Sequence, residues 1–147
     1  MKKFHYFGYA SNLDVSTLKG RLKKEPVLLG LGVLPSYGFR FNFENPDGSA
    51  RANLVKSENE SVYGLIFEIN QEDFDFFLLS EPGYDFVQVE VFSQQGEMKA
   101  YTFISSDCKE NIFPKKGYLE TILRGGRANG IPNGYLAGII NRAGPIQ

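Results

Sequence analysis

The chain has 147 residues and a formal net charge of −1, the length of one ordinary domain able to bury a core without a metal or disulfide staple. Its basic residues are scattered, with Lys2-Lys3, Lys23-Lys24 and Lys115-Lys116 the adjacent pairs; no basic stripe marks a nucleic-acid surface. A single Cys108 and the lack of any apolar run long enough for a membrane span or signal peptide lead to the expectation of a soluble cytoplasmic protein with no membrane partner.

The elements follow in order. Phe4 to Tyr9 is aromatic and compact, a first strand. Ser11 and Asn12 are turn residues, and Asp14 is expected to cap a short helix through Leu22. Val27 to Leu34 and Tyr37 to Phe43 read as two strands, the second with period-two alternation. Asn45-Pro46-Asp47-Gly48 is a turn, followed by short strands at Ala52 to Val55 and Val62 to Ile69 around a polar hairpin tip at Ser57 to Ser61. Asn70 caps a helix whose apolar face is Phe74, Phe77 and Leu78 and which stops near Ser80, because Pro82 follows. Phe86 to Phe92 and Met98 to Ile104 form a hairpin across Gln94-Gln95-Gly96. Tyr118 to Arg127 is a helix closing at Asn129-Gly130, and Asn133 to Ile140 is a short last helix. Strands outnumber helices without βαβ alternation, so residues 1–147 are expected to form a single α+β domain with a mixed or largely antiparallel sheet.

Three segments can carry chemistry. Tyr9-Ala10-Ser11-Asn12-Leu13 joins a strand to a helix, where backbone N–H groups without an intrahelical partner suit an anion or a developing oxyanion; an ordinary strand-turn-helix joint is the plainer reading. Glu81, in Ser80-Glu81-Pro82-Gly83-Tyr84, follows an apolar helical face and lies among aromatic residues. The negative end of the helix dipole and partial desolvation both favour a protonated carboxyl, pushing it towards the range of a general base; the alternative is a surface turn residue. Tyr118 opens a helix whose end, Gly125-Gly126, lets backbone approach backbone and lacks the Lys-Ser/Thr of a phosphate loop. His5 has no Asp or Ser spaced to make a triad and is read as a strand residue. Cys108, without a CxxC or ligand-spaced His, is neither a nucleophile nor a metal ligand, and Asp73 and Asp75 are read as solvated helix residues.

In order and spacing these segments resemble the γ-glutamylcyclotransferase-like (AIG2-like) family. Tyr9-Ala10-Ser11-Asn12-Leu13 looks like its Tyr-Gly-Ser-Asn-Leu substrate loop. Ala52-Asn53-Leu54-Val55 with Val62-Tyr63-Gly64-Leu65-Ile66 is similar to its central hairpin. Glu81 falls where the family carries its catalytic Glu, and Tyr118, followed by Gly130-Ile131-Pro132, is similar to its pocket-lining last element. The resemblance implies a compact, barrel-like sheet with flanking helices and an enzyme that needs no cofactor, metal or covalent intermediate. It releases 5-oxoproline and an amine or amino acid from a γ-glutamyl compound. Glu81 is then the general acid/base, and Tyr9, Ala10, Ser11, Asn12, Leu13 and Tyr118 bind the substrate. A non-catalytic protein binding a γ-glutamyl-like ligand on the same fold is the alternative. Three positions depart from the family pattern. Ala10 stands for a Gly, at a cost of about 1–2 kcal/mol if that position needs positive φ. Pro82 stands for the Gly that often follows the catalytic Glu. Phe86 stands at the nearest register of a Tyr that touches the Glu, leaving Tyr84 as the residue to substitute for it.

Overall fold

A computed structural model describes residues 2–144. Five strands close into a barrel in the order β1-β3-β2-β4-β5: β1 (Lys3–Gly8), β2 (Val27–Glu44), β3 (Ala50–Asn70), β4 (Asp85–Ser93) and β5 (Gly96–Ile104). Four helices flank it: α1 (Val15–Lys19), α2 (Phe74–Leu79), α3 (Lys116–Ala128) and α4 (Asn133–Ala143). Every ladder is antiparallel except β1 with β5, which pair in parallel at Tyr6 and Tyr101. The α+β class and the mixed, barrel-like sheet expected from the sequence are both present.

The long hairpin of β2 and β3 is the backbone of the barrel. Its turn is Asn45 to Ser49, where Gly48 adopts φ 89 and donates its N–H to the Asn45 carbonyl; this is the positive-φ position a glycine suits. The two short strands expected on either side of residue 36 are one strand, and the polar tip expected at Ser57 to Ser61 is no turn. The register passes from Pro35 against Ser61 to Tyr37 against Lys56. Residues 57–60 therefore bulge opposite Ser36, itself at φ 66. A bulge breaks the alternation of faces without ending the ladder, which is why the pattern read as two strands and a tip. The bulge is pinned by Arg40, whose Nη1 and Nη2 donate to the two carboxylate oxygens of Glu60 at 3.0 and 2.7 Å, and by the Ser57 hydroxyl at 2.6 Å.

Shorter elements differ in smaller ways. Asp14 sits at the N-cap of α1, but its carboxylate accepts from the hydroxyls of Ser16 and Thr17 rather than from a backbone amide, and the helix ends at Lys19 instead of Leu22. Asn70 accepts from the Glu72 N–H and starts a 3-10 turn that leads into α2. Asp73 is buried, not solvated, because it accepts the backbone N–H groups of Lys23 and Lys24 where the chain leaves α1 for β2. Asp75 is exposed as expected.

Inside, Phe4, Tyr6, Phe77, Phe86, Tyr101 and Phe103 form a contiguous aromatic cluster between β1, β4, β5 and α2, with ring centroids 4.7–6.4 Å apart, the spacing of favourable edge-to-face and offset pairs. Among the described residues no helix is long and apolar enough to cross a membrane.

Candidate active site

The site lies where β1 stops short. β1 covers only Leu65 to Asn70 of the much longer β3, so the first half of β3 lacks that neighbour. The chain beyond β1 turns across this gap as Tyr9, Ala10 and a 3-10 turn at Ser11–Leu13. Helix α3 seats the turn from behind. A Cβ on Gly125 would stand 2.2–2.5 Å from the Leu13 carbonyl group and the Asp14 nitrogen, so the close backbone approach anticipated from Gly125-Gly126 exists and requires a glycine. Asn129 adds a hydrogen bond from Nδ2 to the Leu13 carbonyl at 3.0 Å.

Glu81 comes from the other side. Its N–H donates to the Leu78 carbonyl and closes the last turn after α2, and its own carbonyl accepts from Tyr84. The side chain is buried at 5% exposure and faces a narrow cavity of about 30 Å³ lined by Tyr6, Tyr9, Ser11, Arg51, Tyr84 and Tyr118, together with Ala10, Asn12, Ala52 and Phe103. Both carboxylate oxygens are engaged by cations. Arg21 Nη1 donates to Oε1 at 2.6 Å, and Arg51 Nη2 donates to Oε2. A buried carboxylate needs such partners, since an unpaired charge there is strongly destabilising.

The two arginines are held differently. Arg21 Nη1 also donates to Asn12 Oδ1 at 2.9 Å and Ser11 Oγ at 3.2 Å, and Asn12 Nδ2 donates to the Tyr6 hydroxyl at 2.9 Å. Turn, arginine and Glu81 thus form one hydrogen-bonded chain. Arg51 lies over the Tyr84 ring, 5.3 Å from its centroid. Burial pulls its pKa down, but the charge of Glu81, with smaller contributions from Tyr118 and Tyr84, outweighs this and holds it above the ordinary arginine value.

The tyrosines of the cavity remain neutral phenols. Burial, the largest influence on each, raises Tyr6, Tyr9, Tyr84 and Tyr118 above the ordinary tyrosine range. They serve as hydrogen-bonding groups: Tyr9 donates to the Phe103 carbonyl at 2.7 Å, Tyr84 donates to the Ala52 carbonyl at 2.6 Å, and Tyr118 accepts the Ala52 N–H at 3.0 Å. Glu81 is the one carboxylate among the lining residues.

The structure brings together Glu81, Tyr9, Ala10, Ser11, Asn12, Tyr84 and Tyr118 in one lining. Two residues expected there lie elsewhere. Leu13 is fully buried beneath the turn, where its carbonyl faces α3 and Asn129. Phe86 packs into the aromatic cluster against Tyr101 and Phe103. Tyr84 lines the cavity but does not take over a bond to Glu81, because its hydroxyl is committed to Ala52. Ala10 has φ −132, so the penalty considered for a positive φ does not arise. Arg21, Arg51 and Tyr6 were not singled out from the sequence. The signal that could have found the arginines is Glu81 itself: a carboxylate placed among aromatic residues implies a counter-charge, and desolvation alone left that out.

The sequence matches the AIG2-like family over residues 61–139, more than half of the chain. It belongs to that family. A comparison with curated proteins returns no match. Among solved structures, one described as gamma-glutamyl cyclotransferase is 19% identical, with a TM-score of 0.84 over 99% of this chain and 94% of that one. The uncharacterized protein loc79017 from Homo sapiens is 21% identical, with a TM-score of 0.85 over 100% and 95% of the two chains. A gamma-glutamyl cyclotransferase specific to glutathione from yeast is 12% identical, with a TM-score of 0.64 over 97% and 98%. At these identities the likeness establishes the fold, so this AIG2-like chain shares its barrel with them across nearly its whole length.

Proposed function

We propose that the protein is a γ-glutamylcyclotransferase-type enzyme that converts a γ-glutamyl compound into 5-oxoproline and a free amine or amino acid. The observation that carries this reading is Glu81, a carboxylate 5% exposed that faces the same small cavity as the Ser11 turn and Tyr118. Membership of the AIG2-like family supports it.

The substrate's α-nitrogen attacks its own γ-carbonyl carbon. A new C–N bond closes a five-membered lactam, and the old amide C–N bond breaks. The reaction is intramolecular, so the main task of the protein is to hold the folded conformer in which nitrogen and carbonyl meet. The α-amine enters largely as an ammonium ion and attacks only after losing a proton. Glu81 accepts that proton and returns it to the departing nitrogen. The attacking nitrogen, cationic once it has bonded to carbon, sheds a second proton, which leaves with the freed amine as its ammonium form, so the lactam is neutral and the carboxylate is as it began. The amides of Ser11 and Asn12 precede the first bond of the 3-10 turn, in which Leu13 donates to the Ala10 carbonyl; they remain to bind negative charge at the mouth of the cavity. Incubation with a panel of γ-glutamyl amines and γ-glutamyl amino acids, followed by mass spectrometry, tests the reaction. The reading predicts 5-oxoproline; glutamate instead would indicate hydrolysis and contradict it.

A second reading has an observation of its own. Both oxygens of Glu81 are occupied by guanidinium groups, as suits a ligand-binding site without turnover. It predicts thermal stabilisation by γ-glutamyl ligands with no product formed.

A further inference from the structure

We infer that Arg51 is the group that selects for the substrate's α-carboxylate, exchanging Glu81 for it when a γ-glutamyl group enters. The inference rests on the function proposed above and names the residue that sets its substrate class.

The cavity facing Glu81 is narrow, and both oxygens of the carboxylate are held by guanidinium groups, so the ammonium of a γ-glutamyl group reaches Glu81 only if one of those side chains moves. Arg51 is positioned to be that side chain. It lines both this cavity and a wider surface groove of about 680 Å³ formed by Phe43, Asn45, Pro46, Pro82 and Gly83 with their neighbours. Arg21, by contrast, is tied to Ser11, Asn12 and Glu81 at once.

Charge accounting specifies what Arg51 moves towards. The site holds two guanidinium groups and one carboxylate. A γ-glutamyl group brings one ammonium and one carboxylate, carried on the same carbon. When Arg51 turns from Glu81 Oε2 to the incoming carboxylate, the vacated oxygen accepts the ammonium N–H that it must deprotonate. Arg21 stays on Oε1. Every buried charge is then paired, as burial demands. The planar fork of Arg51 matches a carboxylate in two-point contact, and the Tyr84 ring beneath it favours the cation throughout the movement. A γ-amino amide lacking the carboxylate offers Arg51 nothing, so opening the site would strand a buried guanidinium. Arg51 thereby becomes a filter: it releases Glu81 only to a ligand that brings a replacement anion.

The test is direct binding, which does not depend on turnover. Calorimetry compares 5-oxoproline, which keeps the carboxylate, with 2-pyrrolidone, the same lactam without it, on the wild type and on Arg51→Gln, Arg51→Lys and Arg21→Gln. Wild type is expected to bind 5-oxoproline about 100-fold more tightly, the order of loss on removing one partner of a buried charged pair. The preference collapses to within a few-fold in Arg51→Gln and is partly retained in Arg51→Lys. In Arg21→Gln, which removes the same charge from beside Glu81, most of the preference remains. Equal loss in Arg51→Gln and Arg21→Gln, or an undiminished preference in Arg51→Gln, overturns the inference. Whether 5-oxoproline is produced from a γ-glutamyl substrate is read separately and bears on the proposed reaction alone.

Discussion

Ala52 has no functional side chain, yet both polar atoms of its peptide unit that face the cavity are taken by tyrosines from distant segments: Tyr118 accepts its N–H and Tyr84 donates to its carbonyl. Among the described residues no strand covers β3 on that side at Ala52, so these hydroxyls do the work of a missing ladder. Tyr118→Phe leaves the Ala52 N–H without its acceptor in a largely dry site, and the expected cost is about 1–3 kcal/mol, read as a lower midpoint in urea. An unchanged midpoint would mean that water replaces the hydroxyl. The same local logic explains what could be read at this scale beforehand. That Glu81, the Tyr9 turn and Tyr118 belong together was legible from their order and spacing through the family resemblance, whereas residue type alone favoured plainer readings, and the structure places all three in one lining. Arg21 and Arg51 were not legible, because a guanidinium donated across 60 and 30 residues of chain leaves no local pattern.

At the scale of elements, one contact seats the turn of the site and another ties the barrel's bulge to its last helix. Helix α3 touches the Ser11–Leu13 turn backbone to backbone at Gly125, and Gly125→Ala inserts a methyl where the Leu13 carbonyl already stands. The expected destabilisation is about 3 kcal/mol, seen as a melting temperature about 5–10 °C lower, with ligand binding lost along with the turn. Retention of both would show that helix and turn slide apart freely. The second contact is Glu60, which ties the bulge of β3 to Arg40 on β2 and, at 3.0 Å, to Arg142 on α4. Hydrogen bonds from Arg40, then from Ser57, hold its pKa down from an ordinary 4.5 to about 2. A depressed carboxyl contributes stability that is fully present above its unfolded value and is lost as pH falls through the folded one. Wild type should therefore lose stability between pH 4.5 and about 2 beyond what Glu60→Gln loses, measured as urea midpoints across that window. Parallel curves for the two proteins would contradict the assignment. This element was misread from sequence for a physical reason: polar residues 57–60 carry the composition of a turn, and only the pairing of Pro35 with Ser61 and Tyr37 with Lys56 reveals a bulge.

For the whole molecule, closure of the barrel and creation of the cavity are one event. β1 meets β5 at a single ladder pair, Tyr6 with Tyr101, and side chains complete the seam: Thr102 Oγ1 donates to the Phe7 carbonyl at 2.8 Å and Tyr9 to the Phe103 carbonyl at 2.7 Å. Tyr9 thus belongs both to the closure and to the lining of the site, so the fold and its cavity cannot be assembled separately. The α+β class and the order of elements could be read from periodicity and turn residues, whereas the closing seam depends on contacts 94 and 95 residues apart that no periodicity encodes. The central claim is that this closed barrel presents one buried carboxylate for proton transfer during lactam formation. It is tested most directly by the rate of 5-oxoproline release from the best γ-glutamyl substrate by Glu81→Gln, with a melting curve confirming that the variant is folded. The account predicts a fall in kcat of about 10²- to 10⁴-fold; a folded Glu81→Gln that turns over as fast as the wild type would contradict it.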